Sequence, residues 1–409
     1  MDSKSQVVVK KFGGTSVGSI ERIEAVAARV IEDIKAGQKA VVVASAMSGE
    51  TNRLVALANQ VDPYYRGPAY DMLVASGEQV SIALLAMAFE KRGYKAEPLL
   101  AHQTGIQTDE LFSKARIQNI NVKRINDLLA KNVIPIVAGF QGVTAEDRIT
   151  TLGRGGSDTT GVAIAAALGA SECEIYTDVP AVFSADPRLV KRAREIPIIT
   201  FEEMMEMASV GSKVLHFRSV EIAAKYGVRI HLRSTFEARE GTWIVGENQM
   251  LENPVVTSVT HDPQTVVISM KQVPLGSAFL TGLFDHLAEK GIVIDIITQS
   301  KNKDDQQLAF SLPDEDLPQA ELILKKYLSG SEKVEIIKDM AKLSVVGVGM
   351  KNHPGVASRF FKAMNAAQAE IHLVTTSDIK ISAVIPKKDL AKAAEALHTE
   401  YGLDSPTTV

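Results

Sequence analysis

The sequence predicts an α/β protein in which a mostly parallel sheet, sandwiched by helices, is followed by two smaller α+β modules. Two observations carry this prediction. In the first part of the chain, short β-branched runs alternate with segments whose apolar residues recur at helical spacing. In the last third of the chain, two segments can be aligned so that their apolar residues coincide. Strands that are separated by helices pair in parallel and need helices on both faces of their sheet.

The first part of this pattern is a strand, a glycine loop and a helix. Val7 to Val9 predict a strand that stops at Lys10, and apolar residues recur at helical spacing from Ile20 to Ile34. The loop Lys11-Phe-Gly-Gly-Thr-Ser16 lies between them. Because glycine has no Cβ, the backbone N–H groups of such a loop can approach an anion closely.

The same alternation continues through the first part of the chain. In order, we predict a strand Ala40 to Ala44, a helix from about Asp71 to Phe89, strands Lys95 to Leu100 and Val133 to Ala138, a helix Thr159 to Leu168 and a strand Glu172 to Tyr176. Residues 152–158 are rich in glycine and open the second of these helices. The first domain is predicted to cover residues 1–246.

The remainder of the chain contains an internal repeat. Residues 282–300 align with residues 359–377, and each segment is predicted to be a helix followed by a strand. Further strands are predicted at Leu308 to Leu312 and Ile379 to Ile385. We predict that residues 247–263 hold a connector and the first strand of the second module, residues 264–338 the first module, and residues 339–409 the remainder of the second.

Composition limits the partners that this chain can have. The net charge is −4, from 45 basic and 49 acidic residues without long single-sign blocks, which disfavours nucleic acid and a polybasic membrane surface. Cys173 is the single cysteine, so neither an internal disulfide nor a multi-cysteine metal site can form. The polar first residues and the lack of a long apolar run predict a cytoplasmic protein.

Lys11, in the first glycine loop, is a candidate for phosphate chemistry. A fixed cation beside backbone N–H groups would offset charge on a transferring phosphoryl group, although a glycine pair alone also fits an ordinary tight turn. The chain lacks the G-x-x-x-x-G-K-[ST] loop, the H-R-D catalytic loop and the G-x-G-x-x-G fingerprint, which disfavours the common nucleotide folds. No residues have metal-ligand spacing, so any metal is expected to arrive with nucleotide phosphates.

Charges of both signs mark further candidate positions. Arg154 lies in a glycine frame that suits bidentate recognition of a carboxylate or phosphate. Asp158 either binds a ligand or simply caps the following helix. Glu78 interrupts an apolar helix, where a carboxylate needs a cationic partner unless that turn is exposed. Taken alone, Lys213 also fits a solvated surface lysine, and His216 is interpreted as structural.

A series of short motifs follows along the chain. In order they are Lys11–Val17, Ser45–Gly49, Ala75–Glu78, Ala138–Gly142, Thr151–Asp158, Tyr176–Val179, Ala185–Arg188 and Gly211–His216. In this order they resemble the motifs of aspartokinases in the amino-acid kinase superfamily, and the doubled C-terminal region resembles tandem ACT domains. The resemblance covers nearly the whole chain. It implies an amino-acid kinase fold followed by two ferredoxin-like ACT modules.

The resemblance implies transfer of the γ-phosphoryl group of ATP to the β-carboxylate of L-aspartate, giving 4-phospho-L-aspartate, with Mg²⁺ bridging the phosphates. This is the first step of lysine, threonine and methionine biosynthesis. Catalysis falls to Lys11, Asp158 and Arg154. The ATP side would comprise Lys11, Phe12, Gly13, Gly14, Thr177, Asp178, Phe183, Arg188 and Lys213, and the aspartate side Ser45, Thr51, Glu78, Arg154 and Ser157. Glu78 would pair with the substrate ammonium and Arg154 with a substrate carboxylate. No metal ligand from the protein is expected.

The resemblance also implies feedback regulation. In this family the first ACT module is inserted into the second, and the modules pair across a dimer to bind lysine or threonine. Positions expected near such a site are Asp295, Gln299, Thr375 and Thr376. A homo-oligomer is therefore expected. The turn from Lys271 to Gly276 departs from the family's Asp-x-Pro-Gly run, and Phe217 replaces a usual proline.

Two alternatives stay open from the sequence. Relatives with this fold phosphorylate glutamate, acetylglutamate, carbamate or uridylate, and a non-catalytic amino-acid sensor could retain the same fold. The pairing of Glu78 with Arg154 favours a zwitterionic amino acid, and the tandem ACT region favours aspartate. Catalysis is favoured over a sensor because Lys11, Arg154, Asp158 and Lys213 occur together, and such a set of charges is costly to maintain without a function.

Overall fold

The chain folds into two compact units. The computed structural model describes residues 7–212, 214–247, 254–273, 276–301, 306–328 and 333–404. The first unit contains Met1–Val182, Glu195–Ala208 and Lys213–Leu251, and the second contains Phe183–Arg194, Ser209–Ser212 and Glu252–Val409. Lys213 and the Pro274-Leu275 pair of the predicted turn lie outside the described residues.

The first unit alternates strands and helices, as the sequence predicts. Its strands are β1 (Val7–Phe12), β2 (Lys39–Ala44), β3 (Ala96–Leu99), β4 (Ile106–Thr108), β5 (Ile117–Ile120), β6 (Ile134–Ala138), β7 (Gln141–Val143), β8 (Ile149–Thr151), β9 (Glu172–Thr177), β10 (Ile198–Thr200), β11 (Arg229–Ser234) and β12 (Thr242–Val245). Its helices are α1 (Ile20–Lys35), α2 (Glu50–Val61), α3 (Pro68–Val74), α4 (Ser76–Glu90), α5 (Ala101–Thr104), α6 (Lys123–Ala130), α7 (Gly156–Leu168), α8 (Phe201–Ser209) and α9 (Phe217–Tyr226).

The main sheet of this unit places the glycine loop beside other strand ends. Its order is β10-β12-β11-β9-β1-β2-β6-β3, and among the described strands only the β11–β12 pair is antiparallel. Apolar residues of β1, β2 and β6 pack against α1 and α4 in one core. A smaller sheet has the order β5-β4-β7-β8. Because β1, β2 and β9 run parallel, the loops that follow Phe12, Ala44 and Thr177 meet at one edge.

Several predicted elements are confirmed, and three predictions about local structure need correction. The helix from Ile20 is confirmed as α1. Strand β1 does not stop at Lys10 but runs through Phe12, so Lys11 is a strand residue and not a loop residue. The long predicted helix is divided at Ala75 into α3 and α4. Helix α7 starts at Gly156, with Gly155 as its N-cap, so Asp158 lies in the first turn and is not the cap.

Helices α3 and α4 together are long and apolar enough to cross a membrane by length and composition alone. This run, Pro68–Glu90, corrects the expectation that no such stretch exists. Of its most apolar window, 56% is buried inside the protein, as is common for a core helix of a globular domain.

The second unit is one continuous sheet with helices. Its strands are β13 (Ser258–Lys271), β14 (Ile297–Lys301), β15 (Gln306–Pro313), β16 (Lys333–Val346), β17 (Leu373–Ser377) and β18 (Lys380–Pro386), and its helices are α10 (Ser277–Glu289), α11 (Leu317–Tyr327), α12 (Val356–Ala366) and α13 (Leu390–Glu400). The antiparallel order is β14-β15-β13-β16-β18-β17. The long strands β13 and β16 run through both halves, α10 and α11 cover one half, and α12 and α13 cover the other. The predicted repeat of helix and strand is confirmed.

Residues Phe183–Arg194 fold with the second unit, although the chain directly before and after them belongs to the first unit. Ala185 and Val190 belong to the core beneath α12 and α13. The Ser184 hydroxyl lies 2.9 Å from Nε2 of His398, a buried histidine of α13. Burial lowers the pKa of His398, so its ring remains neutral at physiological pH and can share this hydrogen bond.

Candidate active site

A cavity of about 480 Å³ lies where the loops after β1, β2 and β9 meet. The first turn of α4 and the loop before α7 complete its wall. Among the residues singled out from the sequence, the cavity is lined by Lys11, Gly13, Gly14, Ser45, Thr51, Glu78, Arg154, Ser157, Asp158, Thr177 and Asp178. Both signs of charge therefore face one space of a size that suits small-molecule ligands.

Some predicted residues lie elsewhere. Phe12 is fully buried and its ring stacks on Tyr176 with centroids 4.7 Å apart, so its side chain supports the loop from inside the core. Phe183 and Arg188 belong to the second unit, where the Arg188 guanidinium pairs with Asp186 at 2.7 Å. Lys213 is outside the described residues. Nucleotide-binding roles for these positions stay predictions.

Lys11 and Asp158 form a largely buried ion pair at the cavity wall. The Nζ atom of Lys11 lies 2.5 Å from Oδ1 of Asp158, although the two groups are not aligned as a hydrogen bond. Helix α7 can approach this closely because Gly161 faces β1; a Cβ there would lie 3.1 Å from Cβ of Lys11. A Cβ on Gly14 would lie 2.9 Å from the Ala46 carbonyl oxygen. Glycine at these two positions thus keeps the cavity walls close together.

Glu78 presents an unsatisfied carboxylate oxygen at the cavity. Its side chain is 2% exposed, and Oε1 accepts a hydrogen bond from the Ala46 N–H at 3.0 Å. Among the described residues, no group donates a hydrogen bond to Oε2. Burial raises the pKa of Glu78 to about 8, and the N–H of Ala46 acts in the opposite direction. A cationic ligand group would supply the partner that the protein does not.

The loop that carries Arg154 is shaped by glycines in the left-handed region. Gly153 has φ of +78° and Gly155 of +64°, and a Cβ on Gly155 would lie 2.1 Å from Cβ of His216. His216 packs against this loop at Gly155, and its ring caps α9 by accepting a hydrogen bond from the Arg218 N–H. Burial lowers the pKa of His216, which keeps its ring an acceptor. Arg154 itself is exposed.

Residues that the sequence argument did not single out also line the cavity. Phe140 adopts a positive φ of 70°, and the Cδ2 atom of its ring lies 2.8 Å from where a Cβ on Gly156 would stand. The motif Ala138–Gly142 contained this residue, but nothing in its composition indicated that a residue other than glycine adopts the left-handed region there. Asn52 and Val214 also line the wall without having been assigned a role.

Three of the predicted effector residues lie on opposite edge strands of the second unit's sheet. Gln299 lies on β14 and Thr375 and Thr376 on β17, which are the two edge strands. Asp295 pairs with Lys342, whose side chain is 6% exposed. Within one chain Gln299 therefore lies on a different edge strand from Thr375 and Thr376, and an effector role for the four positions stays a prediction.

Comparisons with known proteins identify the class. Residues 6–234 match the model of the amino acid kinase family, and residues 343–401 match a model of the ACT domain. The fold and the cavity therefore define an amino acid kinase with an ACT region.

Curated relatives narrow this class. The aspartokinase of Geobacillus stearothermophilus is 46% identical over 398 residues, covering 97% of each chain. Aspartokinase 2 of Bacillus subtilis (strain 168) is 43% identical over 399 residues, covering 97% of this chain and 98% of that one. The chain belongs to the aspartokinase family, and it is an ATP-dependent kinase that acts on aspartate.

Solved structures agree with this assignment. E. coli aspartokinase III in complex with aspartate and ADP, in its R-state, is 26% identical with a TM-score of 0.81, over 97% of this chain and 99% of that chain. The same enzyme in complex with lysine and aspartate, in its T-state, gives a TM-score of 0.78 at 26% identity, over 97% and 100% of the two chains.

We predict that Lys11→Met lowers kcat by about 10²–10³-fold, because one fixed donor to developing charge is lost. A matched control is Lys10→Met. Lys10 is the neighbouring residue on β1, is also buried, and its Nζ lies 2.5 Å from Oε2 of Glu174, away from the cavity lining. Both variants should lose thermal stability, but only Lys11→Met should lose most of its kcat per folded molecule. Near-wild-type kcat in folded Lys11→Met protein would contradict the role of Lys11.

Proposed function

We propose that the described cavity is the site where the γ-phosphoryl group of ATP passes in line to the β-carboxylate of L-aspartate. The observation that carries the proposal is the arrangement of Lys11, Glu78 and Arg154 around one space. Lys11 provides positive charge for phosphate oxygens, Glu78 a carboxylate for an ammonium, and Arg154 a guanidinium for a carboxylate. This set matches an amino-dicarboxylic acid beside a nucleotide.

The chemistry asks little of the protein beyond positioning and charge. The β-carboxylate is ionised at neutral pH and already a nucleophile, so no general base is needed. Asp158 holds the Lys11 ammonium between β1 and the start of α7. The N-terminus of α7, with Ser157 in its first turn, directs backbone N–H groups and its positive dipole end toward anionic groups. Thr177 and Asp178, after β9, would lie on the nucleotide side.

Mg²⁺ would enter with ATP as part of the substrate. No cluster of three or more metal-ligating side chains exists among the described residues. The donors at the cavity that suit a hard cation are carboxylate oxygens such as those of Asp178, whose side chain also accepts a hydrogen bond from the Thr177 hydroxyl at 3.1 Å. When bound, the ion would neutralise phosphate charge during transfer.

The second unit is proposed to regulate this reaction by binding lysine or threonine. Support comes from the ACT match at residues 343–401 and from the lysine complex described for E. coli aspartokinase III. Because β14 and β17 are the edge strands of the sheet, a second copy could join either edge and bring Gln299 of one chain toward Thr375 of another. An effector ammonium near Asp295 would compete with Lys342. We propose a cytoplasmic homo-oligomer.

The direct test is a hydroxamate assay with ATP and Mg²⁺. Aspartate, glutamate and acetylglutamate serve as acceptors, each with and without lysine or threonine. We expect acyl phosphate only with aspartate, and inhibition by lysine or threonine. Product with glutamate or acetylglutamate instead would overturn the proposed acceptor, and unaltered rates with both effectors would overturn the proposed regulation.

Glu78 predicts a pH-dependent stability. Its pKa is raised by burial to about 8 in the folded state, so the folded protein binds this proton more tightly than the unfolded chain. The stability that this proton contributes is complete below the unfolded pKa and is lost progressively as pH rises from there through the folded pKa of about 8. Glutamine cannot ionise, so Glu78→Gln removes the free-energy cost of burying the ionised carboxylate, which is about 1.4 kcal/mol per unit of pKa shift. In urea unfolding, Glu78→Gln should match wild type near pH 4 and exceed it by several kcal/mol above pH 8. Parallel pH profiles would refute this prediction.

Aspartate binding should release a proton from Glu78. At pH 7 the free carboxyl is mostly neutral, and the arriving ammonium would favour its ionised form. Calorimetric titration with aspartate in buffers of different ionisation enthalpy measures this release. We expect close to one proton for wild type and almost none for Glu78→Gln, which should also bind aspartate more weakly but ATP equally well. An equal release from both proteins would assign the proton elsewhere.

A further inference from the structure

Asp71 is a fully buried carboxylate that does not line the cavity. Both of its oxygens accept from the Ser113 N–H, at 3.0 and 2.9 Å, and Oδ2 also accepts from the Thr151 N–H at 2.6 Å. Burial raises the pKa of Asp71, while these backbone N–H groups act in the opposite direction. A buried carboxylate is destabilised when it lacks hydrogen-bond donors. Asp71 therefore links its own helix to the backbone segments that supply these N–H groups.

The first of the linked segments is the helical run that carries Glu78. Asp71 lies in α3, and its carbonyl oxygen accepts from the N–H of Ala75, the αR residue that joins α3 to α4. Glu78 follows about two helical turns after Asp71, so the two carboxylates lie on the same side of this helical run. A displacement of Asp71 would thus be transmitted to Glu78.

The other linked segment is the loop that carries Arg154. Thr151 is the last residue of β8 and directly precedes this loop. Ser113 has φ of +67°, and its carbonyl oxygen lies 3.0 Å from where a Cβ on Gly153 would stand. Asp71 therefore holds the base of the Arg154 loop through Thr151 and its flank through Ser113.

We propose that Asp71 is a positioning residue that sets the spacing between Glu78 and Arg154, and with it the length of the amino-dicarboxylic acid that the site accepts. The inference rests on the proposed roles of Glu78 and Arg154. Aspartate and glutamate share the same charged groups and differ by one methylene, so a pocket of fixed length is what separates them. Discrimination by one methylene typically amounts to about 10–200-fold.

The test is Asp71→Asn, which keeps the shape but loses the charge and one acceptor oxygen. We expect KM for aspartate to rise about tenfold, KM for ATP to stay unchanged, and the preference for aspartate over glutamate in kcat/KM to fall about tenfold. Asp71→Glu keeps the carboxylate but lengthens the side chain. It should lower the same preference, and it provides the readout should Asp71→Asn not fold.

The matched control is Glu203→Gln. Glu203 is also buried and accepts the Thr200 N–H at 3.1 Å, but it does not line the cavity. It should lose thermal stability without altering the acceptor preference. A purely structural role for Asp71 would give both Asp71 variants the control's behaviour and would overturn the inference. Failure of the proposed function is separate, because then Glu78→Gln itself would leave aspartate binding unchanged.

Discussion

The ion pair between Lys11 and Asp158 connects the central strand of the first unit to the helix that begins at the cavity. Lys11 points from β1 toward α7, and Gly161 provides the space for the two elements to approach. With β1 held between β2 and β9, the ends of all three strands stay level, and their loops form one wall. The cavity lies where these loops meet, and the ion pair holds the ammonium of Lys11 at its wall.

The order of strands and helices follows from local sequence, whereas the burial of charge does not. Ile20 to Ile34 repeat at helical spacing, and helix α1 has its predicted start. Strand β1 is longer than predicted because Lys10 and Lys11, which look like strand-ending charges, find partners far along the chain in Glu174 and Asp158. Such pairings depend on the folded topology and leave no local pattern.

The candidate site shows the same division. The glycine loops and Glu78 have local signals, since glycine pairs and a carboxylate in an apolar helix are unusual in a single sequence. Asp71 has no comparable signal, because a carboxylate in the first turn of a helix normally interacts with that helix's own N-terminus. Only the fold brings the Ser113 and Thr151 N–H groups to it. Family motifs place residues in a site, but the contacts that hold them at their distances come from tertiary structure.

Two buried carboxylates of this unit, Glu174 and Glu78, differ in where their partner lies. Burial acts to raise the pKa of Glu174, but the ion pair with Lys10 and hydrogen bonds from Lys10 and Tyr176 outweigh it, and the pKa falls below its usual value. Glu78 is also buried, and burial raises its pKa to about 8 because the hydrogen bond from the Ala46 N–H offsets only part of the loss of solvent. The ionised Glu174 stabilises the fold through its ion pair, whereas ionisation of the buried Glu78 lowers the free energy of unfolding. A charge whose partner is missing inside the protein is one whose partner is expected from the ligand.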